Sequence, residues 1–116
     1  MLANVFFEHA LLELSTKNRD GLHIFFSEIV ATFGLIFIIF ATLKDGKTIV
    51  AISVATYISA GYWFTSSTSF ANPAVSIART FTDSFTGINY LNTPTYILAE
   101  FIGLILAAYI LKIIYK

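Results

Sequence analysis

A long stretch without charge constrains this chain more than any other feature: no Asp, Glu, Lys or Arg occurs from residue 48 to residue 78. The charged fraction of the whole sequence is 12%, about half the ~25% usual for a soluble domain. The hydrophobic fraction is 57%, which is high for a chain of 116 residues. The few charges stand in clusters between apolar stretches. The sequence therefore predicts an all-α integral membrane protein that is surrounded by lipid.

Three apolar segments approach the ~20 residues that a helix needs to cross a bilayer. They are predicted over 22–43, 48–66 and 95–114, the last one after Thr93 as the cap and Pro94 at the first helical position. Residues 1–21 are predicted to form a partial helix end and an outer loop. Residues 22–116 are predicted to form one structural unit.

A short helix is predicted between the second and third spans, over residues 73–85. Asn72 is a preferred N-cap, Pro73 suits the first helical position and Gly87 is a plausible stop. Such a helix is too short to cross a membrane, so the pattern indicates a re-entrant half-helix that lines a wet cavity. Its N-terminus carries a partial positive charge, and the Asn72 amide offers N–H donors. Together these groups favour the passage of neutral hydrogen-bonding molecules and disfavour cations.

Charge placement predicts an orientation in the membrane. Four cations, Lys44, Lys47, Lys112 and Lys116, fall on one side of the predicted spans, and Lys17 and Arg19 fall on the other. Because cytoplasmic loops carry the excess of Lys and Arg, the C-terminus is predicted in the cytoplasm. A plasma membrane location, the inner membrane in a bacterium, is expected.

Several function classes are disfavoured. The formal net charge is zero, with no basic patch for nucleic acid, and there is no cysteine for a thiol or zinc site. No glycine-rich phosphate loop or nucleophile–base pair is visible, so we predict no enzyme and no cofactor. His9 and His23 have no further ligands near them in sequence, so a metal site is not predicted.

Several motifs resemble those of the aquaporin (major intrinsic protein) family. Residues 69–74, Ser-Phe-Ala-Asn-Pro-Ala, resemble its second Asn-Pro-Ala box, and residues 28–32, Glu-Ile-Val-Ala-Thr, resemble a motif of its fourth helix. Residues 61–67 and 80–85 resemble the bacterial branch linked to arsenic resistance. The resemblance implies six spans in two inverted halves, each with its own box, and complete channels that form tetramers. This chain has one box and three predicted spans, so it resembles the C-terminal half.

The resemblance also implies roles for individual residues. Val75 stands where water-selective members carry an arginine, and Ala60 stands where they carry a histidine, which implies a wide filter. Glu28 is expected to be a buried carboxylate that accepts backbone N–H groups from the re-entrant loop, with pore lining or an interfacial position as alternatives. Arg79 is expected either to line the outer vestibule as a cation barrier or to pair with Asp83 at i+4.

Two further expectations concern the last span. Glu100 is expected to reach the outer interface, as a solvated or loop-bonded residue, with a position in the pore as the alternative. Gly103 and Ala107 form a pair of small residues that suits close helix packing within the half.

The predicted function is a passive channel for water or small neutral solutes, such as glycerol or undissociated metalloid hydroxides, with Asn72, Pro73 and Ala74 at the pore. The expected partners are the lipid bilayer and a second half, either a missing N-terminal half or a second copy in the opposite orientation. The alternative is a truncated or split-gene fragment that has no transport activity of its own and acts at most as an assembly half.

Overall fold

The computed structural model describes all residues, 1–116, and it is entirely helical. Its elements are α1 (Leu2–Phe6), α2 (Leu22–Thr42) with a 3-10 turn (Leu43–Asp45), α3 (Lys47–Phe64), α4 (Pro73–Arg79) and α5 (Thr93–Ile114). Two helices are long and apolar enough to cross a membrane, α2 with its 3-10 turn and α5. This agrees with the prediction of a helical membrane protein. The shorter α3 is more polar and begins with Lys47, so the layout of three spans and a re-entrant helix stays a prediction.

The helices pack through small residues and leave most large apolar side chains outside. A Cβ atom added to Gly103 would lie 2.6 Å from the carbonyl oxygen of Ile29, so α5 and α2 approach to backbone contact at this level. The hydroxyl of Tyr57 on α3 donates to the carbonyl of Ala31 on α2 at 3.0 Å. More polar or charged residues are buried than apolar ones, whereas Leu98 and Ile105 are exposed. An apolar exterior around a polar interior suits a chain surrounded by lipid.

The short helix α4 is shorter than predicted. It ends at Arg79 and not at Phe85, so it has seven residues and spans about 10 Å. Beyond it the backbone bonds to distant loops: Ser15 N donates to Thr80 O at 2.9 Å, and Ile88 N donates to Arg79 O at 3.2 Å. These partners replace the i to i+4 bonds that would have continued the helix.

The boundaries of the three predicted spans differ from the observed helices by at most two residues. The second predicted span ends at Phe64, after which Thr65 is extended. The last helix begins at Thr93, and its N-cap is Asn92. Within residues 1–21 only Leu2–Phe6 is helical, and the remainder runs as a loop beside the residues that follow α4.

Candidate functional site

The loop that precedes α4 has an unusual backbone. Thr68, Ser69 and Ala71 have φ values of 64°, 51° and 51°. Residues with side chains rarely adopt this left-handed region, and each costs roughly 1–2 kcal/mol. Three such residues within four positions require support from elsewhere in the fold.

Glu28 on α2 gives part of this support. Its side chain is fully buried, and its carboxylate accepts the backbone N–H groups of Phe70, at 3.3 Å, and of Ala71. Ser27, its neighbour on α2, accepts the N–H of Ser66 at 2.9 Å. One turn of α2 therefore holds both ends of the loop.

Glu100 on α5 holds the next residue. It is 1% exposed, and its Oε1 accepts the backbone N–H of Asn72 at 3.2 Å and the hydroxyl of Ser76 at 2.6 Å. The solvated alternative for this residue is wrong, because α4 and the loop cover it. Two carboxylates from two helices thus bind the N–H groups of three consecutive residues, Phe70 to Asn72.

Asn72 begins α4 as its N-cap. Its side-chain Oδ1 accepts the N–H of Ala74 at 2.8 Å, which fixes the amide orientation. The residue is exposed, and its Nδ2 donates to no protein group. With the backbone N–H on Glu100 and the oxygen on Ala74, the two amide donors of Asn72 are left for a molecule outside the chain.

Phe70 lies at the centre of the buried contacts around this loop. Its ring packs on Tyr96 at 4.9 Å between centroids, and the guanidinium groups of Arg79 and Arg19 lie 4.3 and 5.2 Å from its centroid. The Tyr96 hydroxyl donates to Ser67 O at 3.0 Å. Cation–π contacts of this kind orient both arginines against the loop.

Arg19 has a role that the sequence analysis missed, since it counted this residue only as a charge of the outer loop. It is 5% exposed and donates to Gly87 O at 2.7 Å and to Phe85 O at 2.8 Å. Its partners lie 66 and 68 residues away in sequence, so no local pattern marks the contact. Arg19 joins the first loop to the loop after α4.

Arg79 is half-buried at the end of α4. Its Nη2 donates to the Tyr62 hydroxyl at 3.0 Å, and its Nη1 is buried without a partner. Of the two alternatives for Arg79, the pair with Asp83 is wrong, because the helix ends at Arg79 and does not place the two residues one turn apart. Asp83 instead accepts the backbone N–H of Thr16 at 2.9 Å and its hydroxyl at 3.0 Å, and these bonds lower the pKa of the exposed carboxyl.

The other predicted pore residues are exposed or half-buried, and they lie in α4 or near the end of α3. Pro73 is half-buried, Ala74 is exposed, and Val75 is half-buried against the cluster that contains Phe70. Ala60 is exposed on α3 and precedes Gly61. A Cβ atom added to Gly61 would lie 2.6 Å from Ser69 Oγ, so α3 touches the loop at this level.

The two histidines lie apart from this site. His9 Nδ1 lies 2.9 Å from Glu13 Oε2 on the surface. His23 is the second residue of α2. No group of three or more His, Cys, Asp or Glu side chains is arranged to hold a metal ion.

Comparison with known proteins gives one curated relative. The chain is 42% identical over 111 residues to aquaglyceroporin AqpS of Rhizobium meliloti (strain 1021), and the match covers 96% of this chain and 48% of that protein. No protein-family profile matches the chain. No solved structure matches it. The chain spans about half the length of the relative, which is a channel protein by name. These findings confirm the resemblance: the chain matches the C-terminal half of the aquaporin family.

Proposed function

We propose that this chain is one half of a passive channel for water or small neutral solutes, such as glycerol or undissociated metalloid hydroxides. One observation carries the proposal: Glu28 and Glu100 hold residues 70–72 so that the Asn72 amide donors are left unpaired at the start of α4. Donors at the N-terminus of a short helix can replace part of the hydration shell of a neutral solute. The name of the relative, an aquaglyceroporin, supports glycerol as one solute.

The proposed membrane layout has three spans, α2, α3 and α5, with α4 as the re-entrant helix. Asn72, Pro73 and Ala74 then lie near the midplane, and the loops around Arg19 and Asp83 lie on the outer side. The Lys44 turn and the C-terminus face the cytoplasm. This arrangement surrounds the irregular loop of residues 65–72 with protein, as backbone at membrane depth requires.

Val75 and Ala60 are proposed to make the filter wide and apolar. Arg79 is proposed to supply a positive charge at the outer end of α4. Its guanidinium takes part in no salt bridge, so no paired carboxylate cancels its positive charge, which supports this role. Sodium leak into vesicles should rise in Arg79→Ala and stay unchanged in Lys17→Ala. Equal sodium exclusion in Arg79→Ala and the parent would refute the role of Arg79.

A second half is proposed to complete the pore, since Asn72 and Ile77 of the α4 region are exposed. An exposed amide donor facing lipid hydrocarbon would be costly. The second half is either an N-terminal half of the family or a second copy of this chain. The coverage of 48% of the relative supports the first possibility and also the alternative function, an assembly half with no activity of its own. Tetramers, as the family resemblance implies, are proposed for the completed channel.

The test is osmotic shrinkage of liposomes followed by stopped-flow light scattering, with water and with glycerol. Asn72→Asp is the matched variant, because an aspartate keeps the cap on Ala74 but lacks the amide donors. The chain alone is compared with a chimera in which it replaces the C-terminal half of the rhizobial relative.

Flux through the chain alone that is lost in Asn72→Asp would support a pore made by copies of this chain. Flux only through the chimera would support the assembly half. An inert chimera, beside a parent relative that conducts in the same vesicles, would refute the proposed function.

A further inference from the structure

A groove lies far from the Asn72 site, between the C-terminal ends of α2 and α5. It has a volume of about 730 Å³, and its floor is apolar, with Ile36, Phe40, Leu104 and Ala108 among the lining residues. The two helices touch at Gly103, and Ala107 and Leu111 are buried between them. The groove opens beside this contact, where small Ala108 leaves space.

Three lysines, Lys44, Lys112 and Lys116, line the groove, and no acidic residue does. None of the three forms an ion pair, since the only ion pair in the structure joins His9 and Glu13. Lys44 Nζ lies 5.7 Å from the centre of the Tyr115 ring, which also lines the groove. The groove therefore joins an apolar floor to three lysine side chains that form no salt bridge, all at one end.

The dimensions of the groove match one leaflet of a bilayer. From Leu104 to its end at Ile114 the helix rises by about 15 Å, at 1.5 Å per residue. One leaflet contributes about 15 Å of hydrocarbon, with the headgroup region beyond it. An acyl chain on the floor would thus place a phosphate at the level of the lysines.

We propose that this groove binds an anionic phospholipid, with its acyl chain along Phe40 and Leu104 and its phosphate at Lys44, Lys112 and Lys116. Charge complementarity favours an anionic headgroup, and the long apolar floor favours a lipid over a free phosphate. Basic pockets between membrane helices bind anionic headgroups by this combination. The site requires only the membrane location of the chain and not a conducting pore, so it stands apart from the proposed channel function.

Native mass spectrometry in detergent tests the site with phosphatidylglycerol and phosphatidylcholine of the same acyl chains. We expect phosphatidylglycerol to be retained at least about tenfold better. Each of Lys44→Gln, Lys112→Gln and Lys116→Gln should weaken its binding about fivefold, and the triple variant should lose the preference. Lys47→Gln is the matched control, because Lys47 is exposed at the start of α3 and does not line the groove.

A further variant probes the floor. Ala108→Trp should fill the groove and reduce the binding of both lipids, while circular dichroism shows that the helices are retained. Equal retention of the two lipids would overturn the proposal, as would an equal effect of Lys47→Gln. Displacement of phosphatidylglycerol by inorganic phosphate at matched concentration would show a free-anion site instead. Protection of Ala108→Cys from a maleimide by a second half of the channel would identify protein, and not lipid, as the occupant.

Discussion

Replacing Glu28 should release the loop before α4. Glu28 accepts the N–H groups of Phe70 and Ala71, and no other acceptor serves them. A buried donor left without its partner costs about 1–3 kcal/mol. Glu28→Ala should therefore lower the free energy of loop opening by about 2–6 kcal/mol. Glu28→Gln keeps one acceptor oxygen and should lower it by about 1–3 kcal/mol.

Amide hydrogen exchange over residues 65–76 measures this loss directly, because exchange of the loop reports its local opening free energy. A change of 1–3 kcal/mol corresponds to roughly 5- to 150-fold faster exchange in Glu28→Gln, with a larger increase in Glu28→Ala. The strained φ values of Thr68, Ser69 and Ala71 add to this effect, since the freed loop can relax.

Asp20→Asn is the control for a loss of carboxylate charge. Asp20 is exposed and forms no hydrogen bond, so exchange in the loop should stay within about twofold of the parent, the range expected of a neutral surface change. If the loop of Glu28→Ala exchanges as slowly as that of the parent, Glu28 does not hold it. A similar acceleration in Asp20→Asn would point to a general effect of charge.

Three other predictions concern packing and loop contacts. Gly103→Val should destabilise the chain by about 1–3 kcal/mol or more in detergent melts, because its side chain would meet the Ile29 backbone, and an unchanged melting temperature would refute the close approach. Arg19→Lys should speed proteolysis of residues 81–92, since one ammonium nitrogen cannot take the positions of both Nε and Nη2, which bond Gly87 O and Phe85 O. Lys17→Arg should not speed it. The pKa of Asp83 is lowered in the folded chain from 3.8, so its tie to Thr16 is complete above that pH and is lost as the pH falls through the folded-state value. Protection of the Thr16 amide, relative to its intrinsic exchange rate at each pH, should therefore fall on acidification. This pH dependence should disappear in Asp83→Ala, which lacks the acceptor and in which protection is low throughout.

Local chemistry and composition allowed a large part of this protein to be predicted from its sequence. The uncharged stretch and the apolar segments indicate lipid as the surroundings, because crossing a bilayer depends on residues that are consecutive in the chain. Asn72 and Pro73 mark the start of α4, since capping depends on neighbouring residues. The motifs around them resemble those of the aquaporin family, and the match to the rhizobial relative agrees with that resemblance.

Tertiary structure decided what depends on residues far apart in the chain. Arg19 is buried because carbonyl groups 66 and 68 residues away surround it, and Glu100 is buried because α4 covers it. The end of α4 at Arg79 is decided in the same way. Bonds from Ser15 and Ile88 compete with the next helical turn, and no local propensity reveals those partners. Side-chain chemistry and local capping are properties of consecutive residues, whereas burial and long-range hydrogen bonds exist only once the helices have packed.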